Sequence, residues 1–422
     1  MLEARYAIDA EIDSIRAVYQ LALDHDLAEW LTDGLNSLAL FYEYQVWYAE
    51  AVAVFERFAY VLPDSHLLSI RAKVYLARFY QRVGNYTEAE RLLNVVEPYL
   101  SQHPYELALA YLQWVNIKFS QNIDEAMQYA HKAYDIYEEL NDAHWRGFTL
   151  RSLAEVYGNK GRADEAIHFA EQALSLMRPL GDIVDIAAVY RGLGRLYQFR
   201  GDFDRATENC QKAIIIYQKY DMKDLFIRTQ VTLANIENRV GHYDHAKIIL
   251  EEAIASAEAL QVRESLLMAL FEYATNAYYR KQSTDGVQIL ERALELAHQL
   301  NMPVYADYIT ISLANLLIET GEHNRAEQMA QESLTNFNTR SDFLGMVYGQ
   351  LALGKVYLGM TRYTEAFIPL NQALTLAQTH HMVTENLSAQ LYLGMAHYHL
   401  GDYARAAPLI IGVRQNDKTV SE

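Results

Sequence analysis

Few residue patterns in this sequence could support chemistry. His242 and His245 flank a turn and could face one metal ion, but a zinc site needs at least three protein ligands, and an exposed helix start explains both better. The adjacent carboxylates Glu138 and Glu139 would diverge on a helix. The sequence contains no phosphate-binding loop and no G-x-S-x-G or H-E-x-x-H motif. It therefore predicts no catalytic residues, no metal site and no cofactor, and a protein that is not an enzyme.

Small residues recur at a fixed spacing, and this spacing predicts the fold class. Eight of them stand forty residues apart, and Ala89 and Ala51 extend the series upstream: Ala126, Ala166, Ala206, Ala246, Gly286, Ala326, Ala366 and Ala406. Another small residue lies twelve positions earlier, as at Gly194 and Ala234. Because small facing side chains let two helices approach closely, each unit is predicted to be a helix, a tight turn and an antiparallel helix.

Glycines mark the predicted turns between the two helices of a unit. They precede the recurring alanine in segments such as GRADEA and GDFDRA, at Gly84, Gly161, Gly201, Gly241, Gly321 and Gly401. Each glycine is expected to end its helix in the left-handed conformation. The repeats that end at Ala51, Ala126 and Gly286 are degenerate, and Gln121 and Lys281 stand where two of the glycines are expected.

These positions resemble the tetratricopeptide repeat (TPR) family over residues 31–414. The family unit has thirty-four residues, whereas the period here is about forty. The resemblance implies an all-α fold, a right-handed superhelix or α-solenoid of about ten antiparallel helix pairs. Residues 1–30 are then expected to form a lead-in helix and residues 415–422 a polar tail.

A second resemblance concerns the segment from Ile12 to Trp30. It is similar to the helix that follows the ATPase and winged-helix modules of LuxR/AfsR-type (maltose-activator-like) signal-transduction ATPases. In those proteins this helix leads into a TPR sensor with forty-residue units. The present sequence has neither the ATPase module nor a helix-turn-helix, so it is expected to be a detached sensor region, either a stand-alone relative or part of a longer chain.

The TPR resemblance also implies a ligand-binding surface, because the first helices of TPR units line the concave face. Basic, amide and phenol side chains fall on those helices at Arg151, Arg191, Arg195, Arg228, Asn235, Asn315, Tyr278, Tyr308 and Tyr348. Guanidinium groups can grip carboxylates or phosphates through paired hydrogen bonds. The amides could hold the backbone of an extended peptide, and the tyrosines would suit an aromatic or sugar-like ligand. Alternatively, the arginines fill space and pair with carboxylates of neighbouring repeats.

Composition excludes some partners. The chain has 422 residues and a net charge of −18, which repels nucleic-acid phosphates and predicts no nucleic-acid partner. No apolar run is long enough to span a membrane, so no membrane partner is expected. Cys210 is the single cysteine, which excludes an intramolecular disulfide and suits the cytoplasm.

The sequence therefore predicts a non-enzymatic TPR sensor or scaffold in signal transduction or transcriptional regulation. Its expected partner is a peptide, an acidic protein segment or a small inducer. The alternative is a structural oligomer that binds copies of itself. An apolar strip in the last helix predicts either a homodimer through the C-terminal repeat or cover by an adjoining segment: Ala406, Leu409, Ile410, Ile411 and Val413.

Overall fold

The computed structural model describes residues 10–25, 27–300, 302–340, 342–380 and 382–420. Within these ranges the backbone consists of α-helices joined by short turns, and no strand occurs. The all-α fold class predicted from the forty-residue period is confirmed.

The chain divides into two compact units, residues 1–229 and residues 230–422, which are described separately. The helices of the first unit are α1 (Ile12–Asp24), α2 (Ala28–Gln45), α3 (Tyr48–Tyr60), α4 (Leu67–Arg82), α5 (Tyr86–Leu100), α6 (Pro104–Gln121), α7 (Ile123–Glu139), α8 (Ala143–Asn159), α9 (Ala163–Leu180), α10 (Ile183–Phe199) and α11 (Phe203–Lys219). The division falls inside α12 (Lys223–Arg239). The second unit continues with α13 (Tyr243–Ala259), α14 (Arg263–Tyr279), α15 (Ser283–Gln299), α16 (Pro303–Glu319), α17 (His323–Arg340), α18 (Phe343–Gly359), α19 (Tyr363–Thr379), α20 (Val383–His399) and α21 (Tyr403–Val420).

The six predicted turn glycines all adopt the left-handed conformation. Their φ angles lie between 78° and 89°, and each ends the first helix of a pair. Glycine reaches this region without the steric cost that a Cβ atom imposes. The helix boundaries at these glycines are therefore as predicted.

The two turns at which Gln121 and Lys281 replace the expected glycine differ from each other. Lys281 adopts the left-handed conformation itself, at φ 57°. Before Ala126, by contrast, Asn122 is extended (φ −154°), and its side chain accepts hydrogen bonds from the backbone N–H groups of Asp124 and Glu125. An asparagine cap therefore begins α7 where a left-handed residue was expected.

The ends of the repeat array differ from the sequence prediction. The single lead-in helix expected over residues 1–30 is divided, because α1 ends at Asp24 and α2 begins at Ala28; the first nine of those residues lie outside the described ranges. The Leu27 N–H bonds to the Ala22 carbonyl at 3.0 Å, a contact one residue wider than the helical pattern. At the other end α21 continues to Val420, so most of the segment expected to be a polar tail is helical.

Small residues hold the helices of a pair together, as predicted. Ala166, Ala206 and Ala246 have no exposed surface. A Cβ atom added at Gly194 would lie 2.5 Å from Cys210 Sγ and 3.2 Å from the Ala206 carbonyl. The glycine in α10 thus allows the close approach of α11.

Candidate functional site

The first helices of successive repeats contact one another within each unit. In the first unit α2 contacts α4, α4 contacts α6, α6 contacts α8 and α8 contacts α10; in the second unit α14, α16, α18 and α20 form the same succession. We call the surface that these first helices carry the inner face. All the binding residues predicted from the sequence lie on these helices or on α12, which is also a first helix.

At the start of the first unit the inner-face arginines are paired internally. Arg71 bonds to Glu106 and Arg78 bonds to Glu43, in each case a carboxylate on a neighbouring first helix. Burial raises the pKa of the Glu43 carboxyl, but the Arg78 and Arg82 charges outweigh burial and hold this pKa below its usual value. Arg71 and Arg78 therefore pair with carboxylates of neighbouring repeats, which is one of the two alternatives stated for the arginines.

Arg151, Arg191 and Arg195 are arranged differently. The Arg151 guanidinium lies 4.4 Å from the ring centroid of Phe148, and its closest carboxylate oxygen, on Glu155, is 3.7 Å away. Within the described residues, neither Arg191 nor Arg195 forms an ion pair. The buried Nε atoms of Arg151 and Arg191 lack a hydrogen-bond partner there. Arg151 and Arg191 therefore each retain an unused Nε donor, and Arg195 has no carboxylate partner among the described residues.

Arg191 lies close to two buried groups of α11. Burial raises the pKa of Cys210 to about 12 and also raises the pKa of the Tyr217 phenol, and in both cases the positive charge of Arg191 opposes the change. Arg151 has the same opposing effect on Tyr217. Arg191 and Arg151 therefore both lie close enough to Tyr217 on α11 to act on its pKa.

Arg228 is already paired. Its Nε donates a hydrogen bond of 2.9 Å to Asp224, one turn earlier on α12, and the Asp224 side chain is only 9% exposed. The structure thus brings Arg151, Arg191 and Arg195 together as candidate anion-binding residues, while Arg228 has a carboxylate of its own.

A shallow groove runs beside Arg151 and Arg195. Its lining residues, which define the term α8–α10 groove, are Arg151, Ala154, Glu155, Gly158, Asn159, Ala170, Val189, Gly192, Arg195, Leu196 and Phe199. The enclosed space is about 20 Å³, room for about one water molecule, and the rest opens to solvent. Small-molecule sites usually enclose several hundred Å³. The groove is therefore too small to enclose a small molecule and is open to solvent.

In the second unit Asn235 is bonded to a carboxylate. Its Nδ2 donates to Glu272 on α14, whose side chain is almost completely buried. Burial raises the pKa of Glu272 to about 7, and the hydrogen bonds from the asparagines and the charge of Arg239 only partly oppose this rise. Asn235 is thus part of a buried polar cluster that sequence reasoning did not identify.

Asn315 is also engaged. Its Nδ2 donates to the Ile311 carbonyl at 3.1 Å, and its Oδ1 accepts from Lys355 Nζ at 3.1 Å. Burial lowers the pKa of Lys355, and the nearby Tyr278 and Glu319 oppose this change. An Asn315 clamp on a peptide backbone would have to exchange these bonds.

The three predicted tyrosines differ in exposure. The Tyr308 hydroxyl lies 2.9 and 3.0 Å from the two oxygens of Asp342, and the Tyr348 hydroxyl donates to Glu385 at 3.1 Å. Tyr278 is 38% exposed. Only Tyr278 of the three offers a substantial ring surface to a ligand, and the other two mainly connect first helices of the second unit.

Two site features were missed from the sequence. Glu272 was not considered because a single glutamate on a helix usually lies in solvent; its signal is its position thirty-seven residues after Asn235, on the next first helix. Gly192 was not considered because it falls between the recurring small positions, whereas the structure shows it lining the α8–α10 groove.

The C-terminal apolar strip is only partly covered. Ala406 is buried, and a Cβ atom at Gly394 would lie 2.8 Å from Ile410, so Ile410 turns towards α20. Ile411 is 54% exposed, and Tyr403, at the start of the same helix, is 62% exposed. The strip expected to form an interface is thus reduced to the side of α21 that carries Ile411.

The histidine pair of the sequence analysis contacts a carboxylate. His242 and His245 approach the same oxygen of Glu237, at 2.8 and 3.3 Å. Among the residues that the structure describes, no group of three or more potential metal ligands gathers at one point. In the same residues, no helix is both long and apolar enough to cross a bilayer.

Family models for the tetratricopeptide repeat match several parts of the chain. One model matches residues 106–178 and 185–259, and a second matches residues 70–94 and 387–410. These matches coincide with the helix pairs described above. Together they cover 197 of the 422 residues, and over these segments the chain matches the tetratricopeptide repeat.

Solved structures with a similar fold include a Rap protein and a quorum sensor. A Rap protein complexed with competence and sporulation factor has 14% identity and a TM-score of 0.65, and the match covers 83% of this chain and 98% of that one. The apo form of the quorum sensor NprR from B. thuringiensis has 13% identity and a TM-score of 0.55, covering 87% and 99%. At these identities the likeness shows the fold.

The predicted likeness to a sensor region also has a structural counterpart. A signal-transduction ATPase with numerous domains from Pyrococcus horikoshii, which carries a tetratricopeptide repeat sensor, has 15% identity and a TM-score of 0.51. The match covers 81% of this chain but 55% of that one. The present chain thus resembles a TPR sensor region. A comparison with curated proteins gives no match.

Proposed function

We propose that this protein is a non-enzymatic peptide-binding module of a signalling system, and that its first unit binds an acidic peptide or protein segment on the inner face. The observation that carries the proposal is the set of Arg151, Arg191 and Arg195 on a chain of net charge −18, since none of them has a carboxylate closer than 3.7 Å among the described residues. A positive cluster on a negative molecule concentrates anionic partners at one place.

Two further points support a peptide. The α8–α10 groove encloses too little space for a small inducer but is open to an extended chain. Among proteins of similar fold, the Rap protein was solved with competence and sporulation factor, and NprR with its cognate peptide NprX. We extend peptide recognition from those proteins to this one as part of the proposal.

Fluorescence anisotropy with the labelled acidic octapeptide DEDLFDED tests the proposal. Reversing the charge at Arg191 and Arg195 together should weaken binding by at least about tenfold, because each lost charge-assisted hydrogen bond is worth about 1.5–3 kcal/mol. The weakening should be larger at low salt, where screening is less.

The control is an equal charge change elsewhere in the first unit. Arg205→Glu with Lys212→Glu alters two exposed residues of α11, a second helix, and should leave the affinity within about twofold at physiological salt. Equal losses in both double variants would show that only net charge matters. Failure of the unmodified protein to bind the octapeptide would refute acidic-peptide recognition.

A homodimer through the C-terminal repeat is the second candidate function, because Ile411 and Tyr403 expose much of their apolar surface on α21. Sedimentation equilibrium should then show a dimer for the unmodified chain and a monomer for Ile411→Glu. A monomer at every concentration would exclude this self-association.

A further inference from the structure

Gly192 is a glycine that packing does not explain. It lies inside α10, where glycine weakens a helix relative to alanine. A Cβ atom added at Gly158 or Gly194 would lie 2.5 Å from a neighbouring side-chain atom, but at Gly192 it would meet nothing within 4 Å. Neighbouring side chains leave no room for a Cβ atom at Gly158 and Gly194, whereas Gly192 borders open space.

The open space above Gly192 is part of the α8–α10 groove. Its apolar walls include Ala154, Val189 and Leu196. Phe199, at the end of α10, exposes 64% of its surface beside them, a large fraction for a phenylalanine. An apolar side chain placed here would cover surface that now faces water.

Cations stand at the edge of the same groove. Arg195 is exposed and without an ion pair among the described residues, and Arg151 reaches the one carboxylate of the lining, Glu155, only at 3.7 Å. A ligand that fills the groove therefore meets positive charge beside an apolar surface. This combination suits a bulky apolar residue flanked by acidic residues.

We propose that the α8–α10 groove is a specificity subsite that receives one bulky apolar side chain of an acidic peptide, and that Gly192 keeps the space for it. The subsite rests on the proposed peptide-binding function and adds the sequence preference. Arg151 and Arg195 bind the flanking carboxylates, while Leu196 and Phe199 contact the inserted side chain.

The test compares two labelled peptides, DEDLFDED and DEDGGDED, which carry the same charge. The unmodified chain should bind the first about tenfold more tightly, since burial of one large apolar side chain is enough for that ratio. Gly192→Leu fills the groove from within and should remove this preference. Gly412→Leu, at another helical glycine with no neighbour within 4 Å of its added Cβ atom, should keep it.

The outcomes separate the subsite from the function on which it rests. Equal binding of both peptides by the unmodified chain overturns the subsite and leaves acidic-peptide recognition standing. A preference that survives Gly192→Leu also overturns it. If neither peptide binds, both proposals fail.

A second variant guards against a folding artefact. Phe199→Ala removes an exposed ring and should reduce the preference at least about threefold without lowering the urea midpoint. If Gly192→Leu lowers the midpoint, Phe199→Ala decides the question, and an unchanged preference in that variant rejects the subsite.

Discussion

Gly192 and Gly194 lie two residues apart in α10, and replacing each with alanine should change stability in opposite directions. At Gly192 the added methyl group meets open space, so the variant gains only helix propensity, about 1 kcal/mol of unfolding free energy. At Gly194 the same methyl group would lie 2.5 Å from Cys210 Sγ and 3.2 Å from a backbone carbonyl. The carbonyl belongs to the backbone, and Cys210 Sγ is fully buried on a side chain with a single rotatable bond.

The size of the difference follows from these contacts. Overpacking in a close-packed interior costs about 1–3 kcal/mol, and Cys210 is completely buried. Because both variants gain the same helix propensity, Gly192→Ala should be the more stable of the two by about 1–3 kcal/mol. Gly194→Leu should be less stable than Gly194→Ala.

Urea unfolding followed by tryptophan fluorescence measures this difference in the first unit of the chain. The chain has four tryptophans, Trp30, Trp47, Trp114 and Trp145, and all precede residue 229, where the first unit ends. The signal therefore reports on the unit that contains both glycines. Equal midpoints for Gly192→Ala and Gly194→Ala would refute the helix register on which the fold argument rests.

Three further predictions concern buried groups. The pKa of Glu272 is raised by burial to about 7 from 4.5, so the folded state holds this proton more tightly than the unfolded chain. The unfolding free energy should therefore fall by about 3 kcal/mol as pH rises from about 4.5 to 7, and Glu272→Gln should remove this part of the pH dependence measured by circular dichroism. Burial raises the pKa of Cys210 to about 12, so native protein at about pH 8 should react with a thiol reagent far more slowly than denatured protein; equal rates would contradict the burial. Ala234→Leu should cost about 1–3 kcal/mol by overpacking, and an unchanged midpoint would count against its position in the helix pair.

The sequence predicted the fold well because the recurring glycines and alanines reflect contacts within a single repeat. Glycine at a left-handed turn and alanine at a close helix contact are steric requirements that each residue satisfies within its own repeat. Lys281 adopts the left-handed conformation in place of the expected glycine, whereas Asn122 caps the start of α7. Such substitutes cannot be chosen from spacing alone, because a left-handed residue that ends the first helix and an N-cap that begins the second fit the same spacing.

The candidate site was less predictable because it depends on neighbours from other repeats. Sequence placed Arg78 and Arg195 on the same kind of helix face, but not which of them has a carboxylate within reach. Likewise, Asn235 could be identified as an amide on the inner face, yet its bond to Glu272 depends on the helix that follows. Pairing is set by three-dimensional proximity between residues some thirty-five to forty positions apart.

The ion pair of Arg78 with Glu43 has a consequence for how such a face changes its specificity. Here a guanidinium on one repeat is neutralised by a carboxylate tethered to the adjacent repeat, so the partner is always present and no dissolved anion can compete with it easily. The presence or absence of one carboxylate in a neighbouring repeat thus decides whether an arginine forms an internal ion pair or can bind a ligand. In a repeat protein, a substitution that adds or removes such a carboxylate can therefore change one binding position at a time, while the arginine itself stays the same.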